Sequence, residues 1–262
     1  MSRTLAVLAL ATGGLIALSA PAATPPSAEE IVAHNVEARG GAARLAALTS
    51  LERTGRVVVP GLNLALTVRE LKTRAGQYRE DVTLQGLTQV QAYDGHRAWQ
   101  VQPFQGRKDP SLMSDDEAKG LAQSADIELP FVDAKRKGHV VENLGVEDID
   151  GTQAYKLRVK LKSGNEATFW IDPDSWMVIR ELDRQMIRGA EQLTETDYGE
   201  YEKVGGVYVP MSEQQGPKDS DASQKQKIIY EKAAANLALP ASEFNFPDLT
   251  ATPAASGAKG QP

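Results

Sequence analysis

Short segments of alternating apolar and polar residues, separated by tight turns, fill most of this chain from residue 51 onward. Leu64, Leu66 and Val68, for example, alternate with Ala65 and Thr67, the period of two that is typical of a half-buried β-strand. Turn signals such as Asp-Gly and Gly-Gly stand between the segments, and connections this short make neighbouring strands antiparallel. The pattern therefore predicts about ten antiparallel strands in one sheet, long enough to curl.

Helical signals occur only at the N-terminus and in the middle of the chain. Ser27 with Glu30 forms a capping box, and the helix that it begins is expected to end at Gly40. A short second helix is predicted over residues 42–48. Ser114 with Glu117 forms another capping box and predicts a helix to about residue 124. Placed on one face of a curled sheet, these helices would enclose a cavity.

The first 22 residues have the features of a secretory signal peptide. Arg3 precedes an apolar run from Leu5 to Leu18, and Ala20-Pro21-Ala22 offers the small residues at which such signals are cleaved. The run is shorter than the roughly 20 residues of a membrane span, although an uncleaved N-terminal anchor is the alternative. We expect a mature domain over residues 23–247 and a disordered tail over 248–262, which is rich in Ala, Pro, Gly and Thr.

Composition narrows the functional classes. The chain has no cysteine, which excludes disulfides, thiol catalysis and cysteine-bound metal. Its formal charge of −6 argues against nucleic acid, whose binders usually present a basic face. The same charge gives no electrostatic reason to bind an anionic membrane surface. We expect a monomer without stable membrane insertion, whose partners are recognised by shape and apolar contact.

Four motifs follow one another in an order that resembles a known family. They are Ala38-Arg39-Gly40-Gly41, Tyr93-Asp94-Gly95…Trp99, Gly164…Phe169-Trp170-Ile171-Asp172…Val178-Ile179-Arg180, and Gly205-Gly206-Val207-Tyr208-Val209-Pro210. Together they resemble the LolA/LolB-like family of outer-membrane lipoprotein carriers of the Gram-negative envelope. The resemblance implies an incomplete antiparallel half-barrel whose helices cover an apolar concave face, where the carriers hold acyl chains. The chain departs from that pattern in its length, in residues 103–137 and in its tail, and the carriers' functional arginine has no secure counterpart here.

The predicted ligand-binding residues come from two sets. The helical insertion over residues 112–132 is the candidate lid, and the alternating strands before it form the candidate cavity floor. Trp99 precedes the insertion and is placed near the expected mouth of the cavity. The full set is Leu64, Leu66, Val68, Val82, Leu84, Trp99, Leu112, Met113, Leu121 and Phe131. The alternative for all of them is an ordinary packed core.

Catalytic signals are weak. His34, His96 and His139 lie far apart in sequence and belong to no metal-binding motif. The nucleophile elbow of serine hydrolases does not occur. The acidic pairs at residues 148–150 and 172–174 fall where hairpin turns are needed, so turn formation explains them better than calcium binding. We therefore assign no catalytic residue, metal or cofactor.

The sequence thus predicts a non-enzymatic periplasmic carrier that holds the acyl chains of a lipoprotein or another amphiphile in an apolar cavity. Two alternatives stay open. One is an envelope-stress sensor on the same fold that acts through an envelope protein partner, and the other is an enzyme with a dispersed active site. A purely structural envelope protein would instead have a filled core with no cavity.

Overall fold

The computed structural model describes residues 25–61, 64–221 and 223–248. The predicted signal peptide and nearly all of the predicted tail lie outside these residues. Within them, thirteen antiparallel strands form one sheet, three more than the sequence pattern indicated. The strands are β1 Ser50–Val58, β2 Ala65–Thr73, β3 Tyr78–Leu84, β4 Leu87–Tyr93, β5 Ala98–Gln102, β6 Arg107–Leu112, β7 Val140–Ile149, β8 Thr152–Lys160, β9 Glu166–Ile171, β10 Val178–Ile187, β11 Ala190–Val204, β12 Val207–Pro217 and β13 Gln226–Ala235.

The strand that the sequence pattern missed most clearly is β6. Its sequence, Arg107 to Leu112, is polar and contains Pro110, so it shows neither apolar alternation nor a complete set of backbone donors. It is paired only with β5, at one edge of the sheet. An edge position explains how a proline-containing polar segment is accommodated as a strand.

The order of strands in the sheet is β6-β5-β4-β3-β2-β1-β13-β12-β11-β10-β9-β8-β7. The first and last strands of the chain, β1 and β13, are therefore neighbours at its centre. Strands β6 and β7 follow each other in sequence but lie at opposite edges, so the sheet is not closed. The residues between them must cross one face of the curved sheet. This crossing segment is residues 113–139.

The helices are α1 Ala28–Ala38, α2 Ala42–Ala47, α3 Asp115–Ser124 and α4 Ala134–Lys137. Both predicted capping boxes are present, with Ser27 capping α1 and Ser114 capping α3. The crossing segment contains α3, which contacts β3, β4 and β5 on one side and β10 on the other. It therefore bridges the two halves of the sheet. None of the described helices is long and apolar enough to cross a membrane.

Two of the sequence motifs meet where α1 ends. Gly40 has a φ of +124°, and a Cβ atom there would lie 2.5 Å from the carbonyl oxygen of Gly206. The amide of Tyr208 donates a hydrogen bond of 2.9 Å to the carbonyl of Arg39. Glycine is needed at Gly40 for both its backbone conformation and this close approach. The contact fixes the N-terminal helices against the β11–β12 turn.

The two largest apolar clusters lie between the sheet and the helices. One surrounds Leu45 and Leu48 and includes Val57, Val68 and Ile228 from the central strands. The other surrounds Ile31 and contains a larger set from the crossing segment and strands β8 to β10: Phe131, Val132, Leu157, Val159, Leu161, Ala167, Phe169, Ile171 and Val178. Together these clusters leave the middle of the concave face to a different set of side chains.

Candidate ligand-binding site

A cavity of about 250 Å³ lies between the crossing segment and the middle of the concave face. We call it the central cavity. Strands β1, β2 and β3 contribute to one wall, and β10, β11 and β12 contribute to the other. From the crossing segment, Leu121, Gln123 and Ile127 face it. Its charged lining consists of six carboxyl groups and three cationic side chains: Glu70, Glu80, Asp126, Glu181, Asp183 and Glu213 with Arg39, Arg53 and Lys72.

Arg53 lies at the centre of the first group of charged side chains, in which it pairs with Glu70 and Glu213. Its guanidinium donates to Glu70 Oε1 from Nε at 3.0 Å and from Nη2 at 2.8 Å. It also pairs with Glu213 Oε1 at 2.8 Å and donates from Nη1 to the carbonyl of Pro210 at 2.7 Å. The guanidinium carbon lies 3.8 Å from the ring centroid of Tyr230. A buried guanidinium with this many partners is satisfied within the protein itself.

The electrostatics of this group follow from the pairing. Burial disfavours the charge of Arg53, but Glu70 and Glu213 outweigh burial and hold the pKa of Arg53 above its ordinary value. Burial likewise acts to raise the pKa of Glu70, while Arg53 and then Lys72 lower it to a net value below the ordinary range. Glu70 is therefore ionised at neutral pH.

Glu80, Glu181 and Asp183 form a second group with different partners. No cationic side chain among the described residues lies within ion-pair distance of any of them. Their donors are neutral: Tyr198 Oη donates to Glu181 at 2.5 Å, and Tyr78 Oη lies 3.4 Å from Glu80. The side-chain amide of Gln123 donates to Asp183 and, at 3.5 Å, to Glu181. We call Glu80, Glu181 and Asp183 the unpaired carboxyls.

These three groups hold protons at higher pH than ordinary carboxyls do. Burial raises the pKa of Glu80 to about 7, and the nearby Glu70 and Glu213 add to the effect. Burial also raises the pKa of Asp183 to about 6, against the opposing hydrogen bond from Gln123. For Glu181, burial and then the neighbouring Asp183 raise the pKa well above its ordinary value. Such shifts cluster at functional sites, because stability alone gives no reason to bury unpaired acids.

A smaller apolar pocket of about 170 Å³ adjoins the central cavity. Its apolar walls are Val57, Val59, Leu66, Val82 and Phe104, and Gln89 and Gln226 also line it. Glu80 and Ile228 line both spaces, so these two side chains stand between them. We call this space the apolar pocket. One carboxyl group therefore stands where a charged compartment meets an apolar one.

Helix α3 closes the central cavity from above. Leu121 and Ala125 pack on Tyr78 and Ala98 of the sheet, so the apolar side of α3 faces the strands. Gly120 lets the helix approach β10 closely, since a Cβ there would lie 2.7 Å from Gln185 Oε1. Within the part of the chain that the structure describes, no cluster of three or more His, Asp or Glu side chains is suited to hold a metal ion.

The structure distributes the predicted ligand-binding residues over several environments. Leu121 lines the central cavity, and Leu66 and Val82 line the apolar pocket. The others lie elsewhere: Val68 is buried in the first apolar cluster, Met113 packs beside Leu121, Phe131 contacts Phe169 at 5.0 Å between ring centroids, Leu84 is half-buried, and Leu64 and Leu112 are exposed.

Trp99 lies on the opposite face of the sheet from the cavity. Its neighbour Ala98 faces α3, and successive residues of a strand point to opposite faces. The indole nitrogen donates to the carbonyl of Phe244 at 2.7 Å, and the ring contacts Phe246 edge-on. Trp99 thus anchors the C-terminal segment.

Sequence reasoning missed the charged lining of the cavity. A signal was nevertheless present, because Glu70 continues the inward-facing series of Leu66 and Val68, and Glu80 precedes Val82 on the same face. An acidic residue in phase with an apolar stripe predicts a buried or cavity-facing charge. The predicted cavity floor includes only the apolar positions of these strands.

The arrangement, an open antiparallel half-barrel with a helical segment across its concave face, is a LolA-like fold. No protein-family model matches the sequence, and no curated protein sequence matches it. Among solved structures, a LolA superfamily protein from Nitrosomonas europaea is similar, with a TM-score of 0.54 and 14% identity over 84% of this chain and 98% of that one.

Two further structures agree. A putative outer membrane lipoprotein-sorting protein domain from Vibrio parahaemolyticus matches with a TM-score of 0.54 and 12% identity, covering 83% of this chain and 97% of that one. A DUF1329 family protein from Desulfovibrio piger matches with a TM-score of 0.51 and 9% identity, covering 84% and 97%. At these identities the likeness establishes the fold, which confirms the resemblance predicted from the motifs.

Proposed function

We propose that this protein is a periplasmic, non-enzymatic carrier or binding protein for an amphiphile. The observation that carries the proposal is the junction at Glu80, where the charged central cavity meets the apolar pocket. An amphiphile has the same two parts, a polar head and an apolar tail. The similar structures support this proposal, since one of them is described as a lipoprotein-sorting domain.

The driving force for binding is burial of the tail. Each methylene removed from water contributes about 0.8 kcal/mol, and ordering of the ligand and of the crossing segment subtracts from that sum. The apolar pocket is small, so a short chain, or the end of a longer one, fills it. Acyl chains of a lipoprotein and free single-chain lipids are both compatible with this geometry.

The crossing segment gives the carrier a means of loading and release. It is held to the sheet over the cavity by the packing of Leu121 and by the Gln123–Asp183 hydrogen bond. Displacement of α3 would open the central cavity without disturbing the strand ladder. A lid of this kind couples ligand exchange to a local motion rather than to unfolding.

The test is to purify the mature protein gently from its native envelope, extract it with organic solvent and identify any co-purifying lipid. Native mass spectrometry of the unextracted protein gives the stoichiometry. We expect a defined amphiphile at about one per chain, recovered chemically unchanged after incubation. An apo protein that binds no amphiphile would overturn the carrier proposal, and conversion of the ligand into a product would overturn its non-enzymatic part.

A further inference from the structure

The central cavity has more hydrogen-bond acceptors than donors. The unpaired carboxyls Glu80, Glu181 and Asp183 are acceptors when ionised, and the donors near them are neutral side chains that are few in number. Arg53, the most buried cation of the cavity, is already occupied by Glu70 and Glu213. The cations of the cavity, Arg39, Arg53 and Lys72, are engaged by other groups of the protein, and none lies within ion-pair distance of the unpaired carboxyls.

Two buried polar atoms in this part of the concave face have no hydrogen-bond partner among the described residues. Oε1 of Gln123 is buried and has no hydrogen-bond partner, although the nitrogen of the same amide donates to Asp183. The hydroxyl of Tyr230, a residue that is only 3% exposed, is also buried without a partner. Buried polar atoms are satisfied in the great majority of cases. Both atoms can accept a hydrogen bond from a ligand.

Tyr230 is directed toward the charged space. It lies two residues after Ile228 on β13, so both side chains project from the same face, and Ile228 lines the cavity. Burial raises the pKa of Tyr230, the neighbouring Arg53 opposes this shift, and the carboxylates of Glu213, Glu70 and Glu80 add to it. Tyr230 therefore lies on the concave face beside Arg53, whose guanidinium lies over its ring.

Other charged side chains face this region from the elements packed around it. Arg39 from the end of α1 donates to the carbonyl of Glu128 at 2.7 Å, and Lys72 of β2 lies 3.5 Å from Glu70. Asp126 of the crossing segment is paired with Lys137 at 2.6 Å, outside the cavity. The remaining groups are the tyrosines: Tyr78, Tyr198 and Tyr201. With every carboxyl ionised, the cavity carries an excess of negative charge.

We infer that the central cavity binds the head of an amphiphilic organic cation, an ammonium or guanidinium group whose N–H donors are accepted by Glu80, Glu181 and Asp183. This inference rests on the proposed function for the tail, which would lie in the apolar pocket beyond Glu80. The cation supplies a charged donor to these three carboxyls, which form no ion pair with any described residue. A carboxylate head would instead face like charges in a region of low dielectric constant, which is strongly unfavourable.

Protons occupy the site when the cation is absent. Because Glu80 has a pKa of about 7 and Asp183 a pKa of about 6, these two groups are largely protonated below about pH 6, while Glu70 stays ionised. An arriving cation competes with these protons, so it binds more tightly as the pH rises. This competition distinguishes a cation site from a set of acids that merely fills space.

The experiment uses the full mature chain at pH 8. It compares three probes of equal chain length, decylammonium, decanoate and decanol, below the micelle concentrations of the two ions and the solubility limit of decanol. Propylammonium is the short-chain cation for comparison. We expect decylammonium to bind at least tenfold more tightly than decanol, and decanoate not to saturate. Glu80→Gln and the double variant Glu181→Gln with Asp183→Asn should each weaken decylammonium binding at least tenfold. Glu202→Gln, an exposed carboxylate outside the cavity, is the charge-matched control and should bind like the parent chain.

Each outcome is decisive. Equal or tighter binding of decanoate or decanol would overturn the cation inference and leave the amphiphile proposal standing. Binding of none of the three would overturn the proposed function. If propylammonium bound as tightly as decylammonium, the cation site would stand and the amphiphile proposal would fail. Unfolding curves of the double variant check its folding, and Glu80→Gln supplies the test alone if the double variant does not fold.

Discussion

Gln123 of α3 donates its side-chain amide to the carboxyl group of Asp183 on β10, and this hydrogen bond joins the covering helix to the far half of the sheet. The bond ties the position of the lid to a group whose pKa lies at about 6. Strands β6 and β7, at opposite edges, force the chain between them to cross the concave face. The topology thus places the crossing segment over the central cavity, and the unpaired carboxyls give the space beneath it its acidic lining.

Stability of the apo protein should fall as the pH rises from about 5 to 8. Glu80 has an ordinary pKa of 4.5 and a folded pKa of about 7, so between these values the folded state binds more protons than the unfolded state. The free energy of unfolding therefore decreases with pH in that window. We expect Glu80 to account for about 2 kcal/mol of the fall, measured by urea unfolding. Glu80→Gln should flatten the profile, and an unchanged slope would contradict the assignment.

Removing one unpaired carboxyl should stabilise the protein at pH 8. In Asp183→Asn the amide oxygen still accepts the hydrogen bond from Gln123, while the buried negative charge that this group, with a pKa of about 6, carries at pH 8 is gone. We expect a gain of about 1–2 kcal/mol in the free energy of unfolding. At pH 5, where the carboxyl is already protonated, the difference should be small.

Removing a paired carboxyl should have the opposite effect. Glu70→Gln leaves the buried Arg53 with Glu213 as its only remaining carboxylate, and breaking such a pair destabilises a fold by about 3–5 kcal/mol. Glu142→Gln is the control, because Glu142 pairs with Arg158 and Lys160 near the surface and should change stability by less than about 1 kcal/mol. Equal losses in the two variants would contradict the account of Arg53.

Gly55 is required where β1 approaches β13. A Cβ atom at this position would lie 1.9 Å from the carbonyl oxygen of Ile229 and 2.7 Å from Cα of Tyr230. Because both are backbone atoms, Gly55→Ala must separate the two central strands, and we expect a loss of at least about 3 kcal/mol. Gly199→Ala, at an open position in β11, should be near neutral. Thermal unfolding of both variants compares them directly.

The apolar pocket should limit how much of a tail contributes to binding. Affinity in a series of alkylammonium ions should rise by up to about 0.8 kcal/mol per methylene and then level off when the pocket is full. Val82→Trp should lower the chain length at which affinity levels off, since Val82 lines the pocket. Thr83→Trp is the matched control, because Thr83 points to the other face of β3. An identical plateau in both variants would place the tail elsewhere.

The sequence predicted the architecture well, and for identifiable reasons. Ser27 and Ser114 predict the two helices through capping boxes, and both boxes are present in the structure. These signals are local, so they survive in a single sequence. The pairing of β1 with β13 joins residues far apart in the chain, and no local signal in the sequence predicts it.

The polarity of the site could not be predicted from the same local signals. Glu70 and Glu80 are in phase with the apolar residues of β2 and β3, but they face an enclosed space only because the sheet curls and α3 crosses above them. Glu181 and Asp183 reach the same space from a strand more than a hundred residues further on. Trp99 looked like a cavity residue, but one step along β5 turns it to the opposite face. Which charged side chains face the cavity therefore depends on how the whole sheet is assembled.

The most direct test of this account is calorimetry of decylammonium binding at pH 6.5 in two buffers with different ionisation enthalpies. The difference in observed enthalpy gives the number of protons released per ligand. We predict a net release of protons that is smaller in the Glu80→Gln variant, because Glu80, with a pKa of about 7, is mostly protonated at pH 6.5. Binding with no proton release, or with the same release in that variant, would contradict the claim that a cation replaces protons on the cavity carboxyls.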